Sequence, residues 1–69
     1  MAEKSTLPSE RELQVLQLIA DGLTDEQIGQ HLGIAKDTVS IHRKRLLEKL
    51  NANNVALMVA NAFRKGLVN

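Results

Sequence analysis

The chain has no cysteine, and its 69 residues include two histidines. That excludes disulfides and thiolate metal sites, and two histidines alone do not make a zinc centre. No glycine-rich phosphate loop and no set of nucleophile, base and acid is present, so catalysis is not expected and no cofactor is implied. No uninterrupted apolar run approaches the ~18–20 residues of a membrane span, and the opening MAEKST lacks the apolar stretch of a secretory leader. The expectation is a cytoplasmic domain, with no membrane association and no small-molecule ligand. Residues 1–8 read as a flexible segment and residues 9–69 as one small domain with little core to spare.

What the chain does have is charge segregated along its length. Residues 1–35 carry two basic and six acidic side chains, whereas residues 36–69 carry seven basic and two acidic ones. A basic half in a chain of net charge +1 points to a local anion-facing surface, and nucleic acid is the common partner of such a surface on a small helical domain.

The apolar residues recur at helical rather than strand spacing, and the punctuation divides the chain into four helices. Ser9-Glu10-Arg11-Glu12 forms a capping box that opens the first helix, in which Leu13, Leu16 and Ala20 form a stripe widened by Val15, Leu18 and Ile19. Gly22 ends it. Thr24-Asp25-Glu26-Gln27 is a second capping box, opening a short helix that turns Ile28 and Leu32 inward. Gly29 inside that helix lowers its propensity by about 1 kcal/mol, which close approach of a neighbouring helix would explain. Gly33-Ile34 is a turn too short for the flanking helices to lie side by side, giving a helix-turn-helix. The third helix runs from about 36 to 50 and stops at Asn51. Asn53 or Asn54 can cap a fourth, from Val55 to Lys65. The fold class expected is all-α: a four-helix domain with a helix-turn-helix at helices 2 and 3 and helix 4 available for dimerisation.

In the third helix, Val39, Leu46 and Leu50, with Leu47 beside them, define the buried face. Ile41 is elsewhere. At ~100° per residue it lies about 200° from Val39, among Asp37, Ser40, Lys44, Arg45 and Glu48, where core packing does not explain it. On the fourth helix, Ala56, Val59, Ala60, Phe63 and, beyond it, Leu67 are expected to complete the core, leaving Leu57, Met58 and Asn61 as candidates for a dimer seam.

RELQVLQLIADGLTDEQIGQHLGIAKDTVSIHRKRLLEKL followed by ANNVALMVANAFRKGLV resembles the LuxR/FixJ/GerE family of bacterial DNA-binding domains from Ser9 to Val68. GLTDEQIGQHLGIAKDTVSIHRKRLLEKL follows the family's central motif nearly position by position. The resemblance implies sequence-specific binding of double-stranded DNA in transcription regulation, with the third helix in the major groove and the fourth forming a homodimer contact. It departs at Ala35, where the family usually has a capping serine or threonine. Asn51 replaces a common glycine, and Val55 and Leu57 stand where arginine and glutamate are frequent.

The sector holding Ser40, Ile41 and Lys44 is the one the family points at base edges. Chemically, lysine can donate to guanine, serine can donate or accept, and an apolar side chain can sit on a thymine methyl. The bland reading of Ile41 is a lone surface hydrophobe, and that of Lys44 and Arg45 a solvated face with Glu48 pairing to Lys44. Phosphate candidates are Thr24, Lys36, Thr38, His42, Arg43, Arg45 and Lys49. For Thr24 the competing role is helix capping, and for His42 it is packing at the rim of the core. RNA polymerase is a candidate protein partner. The rival reading is a helical interaction module contacting polymerase or another regulator, as sigma-factor region 4 domains do.

Overall fold

A computed structural model describes residues 7–69; within the expected flexible segment 1–8, residues 1–6 lie outside that range. The described residues form α1 (Glu10–Ala20), α2 (Asp25–Leu32), α3 (Lys36–Lys49) and α4 (Val55–Arg64), with no strand among them. Both capping boxes form. The Ser9 and Thr24 hydroxyls accept from the amides of Glu12 and Gln27, and the Glu12 and Gln27 side chains accept from the capping amides in return. Asn54 is the residue that caps α4, its Oδ1 accepting from Leu57 N–H at 2.8 Å. At the end of α3, Asn51 takes φ 53°, so Ala52 N–H can reach back to the Leu47 carbonyl.

The core is Val15 and Leu16 of α1, Ile28 of α2, Val39 and Leu46 of α3 with Leu50 at its end, Met58 and Ala62 of α4, and Val68. The inward faces expected for the first three helices are therefore those observed. Gly29 explains how α2 and α3 approach: a Cβ there would lie 2.6 Å from the Ile34 carbonyl oxygen. The missing side chain lets the turn pass directly over α2, where Ile34 N–H donates to the Gly29 carbonyl at 2.9 Å. The close neighbour is the turn backbone rather than a helix.

The fourth helix is rotated from the expectation, although Val59 and Leu67 do pack against the core. Met58 and Ala62 are fully buried, whereas Ala56 is exposed, Phe63 is 67% exposed, and Val59, Ala60 and Leu67 are half-buried. VALMVANAFR carries apolar side chains around most of its circumference, so the pattern fixes the buried sector only loosely. Packing selects it: the unbranched, adaptable Met58 side chain joins the core and Phe63 stays at the surface.

Ala35 leaves α3 without a side-chain cap, although its backbone (φ −68°, ψ 147°) has the extended geometry of a capping residue. Ala35→Ser is expected to raise stability by about 1 kcal/mol in urea melts, because the hydroxyl gains an orphan amide without moving the chain. Gly29→Val is expected to lower it by at least about 2 kcal/mol, since the obstacle is turn backbone that cannot rotate away.

Candidate nucleic-acid interface

Burying Val39, Leu46 and Leu50 turns the opposite face of α3 to solvent. Ile41 is 52% exposed there, flanked by exposed Lys44 and Arg45. Neither cation forms a hydrogen bond or ion pair among the described residues, and the Glu48–Lys44 pair does not form. At the start of the helix Lys36 is exposed and Thr38 half-buried. Thr38 and Val39 donate their amides to the Ala35 carbonyl, while the Lys36 and Asp37 amides have no acceptor among the described residues. These free N–H groups lie at the positive end of the helix dipole, a geometry suited to an anion.

Other candidates are engaged within the protein. Ser40 Oγ donates to Asp25 Oδ2 at 3.0 Å, and Arg43 Nη2 pairs with the same oxygen at 2.9 Å. One carboxylate of α2 thus ties together two residues of α3. Sequence reasoning did not single out Asp25, because an acid in the first turn of a helix is already explained by the helix dipole, and the partners lie 15 and 18 positions away. Thr24 is exposed with its oxygen accepting from Gln27 N–H, which leaves the hydroxyl proton free to donate. His42 is half-buried at the rim of the core with Nδ1 buried and unpartnered, so Nε2 is the ring nitrogen able to meet a phosphate.

Lys49 is likewise engaged within the protein. Its Nζ lies 2.7 Å from Glu12 Oε1 and 3.4 Å from the Leu7 carbonyl, on the side of α3 that packs toward the start of α1. The side chain of Glu12 is only 4% exposed, so its charge needs this partner. Burial pushes the Glu12 carboxyl up, but the hydrogen bonds from Lys49 and the Ser9 backbone, with the Lys49 charge, outweigh it and hold the group below its ordinary value.

Two of the three seam candidates are also occupied. Met58 is fully buried and cannot meet a partner chain. Asn61 Nδ2 donates to the Leu50 carbonyl at 2.8 Å, satisfying the end of α3, and its Oδ1 accepts from Arg64. Leu57 remains at the surface, 38% exposed. No helix among the described residues is long and apolar enough to cross a membrane, and no cluster of three metal-ligating side chains occurs among them.

The Glu12–Lys49 pair has a measurable consequence. A carboxyl held below its unfolded value binds fewer protons folded than unfolded, so its stabilisation is full above the ordinary glutamate range and is lost as pH falls through the folded value. Lys49→Ala is expected to lower stability at neutral pH by on the order of 1–3 kcal/mol, because it strands a buried carboxylate. The loss shrinks in acid, which urea melts at neutral and acid pH would register.

A model of the luxR family of bacterial regulatory proteins, GerE, matches residues 7–62, a span that contains the whole of α1, α2 and α3 and most of α4. The chain is 41% identical over 59 residues to the virulence-factors transcription regulator BvgA of Bordetella pertussis. It is 42% identical over 60 residues to the transcriptional regulatory protein YxjL of Bacillus subtilis, and 40% identical over 60 residues to the transcriptional activator protein PhzR of Pseudomonas fluorescens. These alignments cover 86%, 87% and 87% of this chain but only 28%, 28% and 25% of the respective relatives. With the match running through the turn that joins α2 to α3, the chain belongs to the luxR family of bacterial regulatory proteins, whose helix-turn-helix domains bind DNA in transcription regulation.

Proposed function

We propose that residues 9–69 form a sequence-reading unit for double-stranded DNA, with α3 in the major groove. The observation that carries this reading is the outward face of α3, where exposed Ile41 sits between two cations with no partner among the described residues. An apolar side chain among free cations is poorly placed for water and well placed for a thymine methyl beside phosphates. Ile41, Lys44 and Ser40 take the base edges. Lys36, Thr38 and Arg45, with the uncapped amides of Lys36 and Asp37, take phosphates, and the Thr24 hydroxyl and His42 Nε2 lie at the margin. Arg43 serves first to hold Asp25, and its role at a phosphate is secondary. The remainder of a regulator, its signal and its choice between activation and repression lie outside what this unit reads.

The reading extends to a homodimer on DNA, with the seam relocated by the burial of Met58. Ala56, Ala60 and Phe63 lie on the side of α4 away from Met58, and Phe63 is the most exposed large apolar residue of the helix. Leu57 borders that strip. Two copies related by a two-fold axis would cover it, and a two-fold dimer reads an inverted repeat. The same strip is the one observation favouring a protein partner such as polymerase, the rival role.

Selection of bound sequences from a random duplex pool separates these. An inverted repeat is expected, with base preference at one position per half-site lost in Lys44→Ala and at another in Ile41→Ala. Phe63→Asp is expected to leave half-site recognition and abolish the repeat. Binding should weaken steeply with salt, by roughly 0.9 in log K per log salt for each neutralised phosphate. Enrichment of nothing, or affinity indifferent to salt and to Lys44, would turn the assignment to a protein partner.

A further inference from the structure

We infer that Asp25 is a specificity-positioning residue: by taking the hydroxyl proton of Ser40, it makes Ser40 an acceptor and so restricts the base that Ser40 can read to adenine or cytosine. This rests on the DNA-reading role of α3. A serine hydroxyl has one proton and two lone pairs, and alone it rotates to suit either a donor or an acceptor. Here the rotation is fixed. The partner is a carboxylate oxygen, which has no proton to give, so at 3.0 Å the hydroxyl must be the donor.

The carboxylate is itself held. Arg43 pairs with the same Oδ2 at 2.9 Å, and the Asp25 side chain is only 15% exposed, at the start of α2 where the helix dipole favours an anion. Asp25 therefore has no cheap alternative position, and the Ser40 lone pairs are what remain for a ligand. In the major groove, adenine N6 and cytosine N4 carry donor hydrogens, whereas guanine offers N7 and O6 and thymine offers O4, all acceptors. Lone pairs facing guanine or thymine repel. Asp25 touches no base in this scheme and acts through Ser40.

The test is the same duplex selection, run with the unaltered protein, Ser40→Ala, Asp25→Ala, the double variant and Arg43→Gln. Ser40→Ala identifies the base pair that depends on Ser40, and the unaltered protein is expected to prefer one pair there by roughly three- to tenfold. Asp25→Ala should flatten that preference at that position alone, because the freed hydroxyl can donate or accept. In the Ser40→Ala background Asp25→Ala should change no base preference, and Arg43→Gln, which loosens Asp25 but spares the serine bond, should weaken the preference less than Asp25→Ala does. A uniform gain in affinity in Asp25→Ala is expected from removing a negative charge near phosphates and has no bearing on the base read.

A second measurement needs no altered protein. Replacing the preferred adenine by purine, or cytosine by 2-pyrimidinone, removes only the exocyclic amine and should cost the unaltered chain the same factor as Ser40→Ala. A Ser40-dependent preference indifferent to loss of the exocyclic amine, no position that depends on Ser40, or a preference that survives Asp25→Ala would overturn the inference while leaving DNA reading intact. Loss of all Lys44-dependent selection would instead remove the DNA reading itself, and this inference with it.

Discussion

The outward face of α3 depends on how closely the chain can fold back over α2, and that distance is set by one missing side chain. With no Cβ at Gly29, the Ile34 carbonyl settles where a methyl group would have stood, and Ile34 N–H bonds to the Gly29 carbonyl. The short turn then crosses α3 over α2 steeply enough for Val39 and Leu46 to share a core with Ile28. Once that core closes, helical geometry does the rest. Residues half a turn away from Val39 must point to solvent, and Ile41 is among them.

Around that core, two acids give the basic half of the chain its organisation. Glu12 and Asp25 each come from an amino-terminal turn, where an acid is favoured by the helix dipole, and each also reaches across to a cation on α3. Glu12 anchors the end of α3 through Lys49, and Asp25 anchors its middle through Arg43 and Ser40. The acidic and basic halves of the sequence are thus partly complementary to each other. On α3, the cations left without an ion pair among the described residues are Lys36, Lys44 and Arg45, and these are free to meet an external anion.

The fourth helix illustrates a limit of pattern reading. The apolar stripe of α1 announces its buried face, and capping boxes announce where helices start. VALMVANAFR does neither completely, because alanine and the aliphatic residues occur on several sides and the largest residue is not the one that fits. A flexible methionine fills the available gap, and the rigid phenylalanine is left at the surface. The exposed residues of α4 include Ala56 and Phe63, which the sequence pattern assigned to the core.

The sequence by itself determined the four helices, their caps and turns, the inward faces of the first three, and the sector of α3 that carries Ile41 and Lys44. Those features are local: they follow from spacing, capping chemistry and tolerance of positive φ, all within a few positions of one another. Only the tertiary structure decided that Met58 is core and Phe63 is surface, that Lys49 belongs to Glu12, and that Asp25 holds both Ser40 and Arg43. Each of these depends on which side chains meet across helices at separations of 15 to 37 positions, or on which volume a neighbouring helix leaves open. A helical period fixes the direction of a side chain, whereas its partner is fixed only when the helices pack.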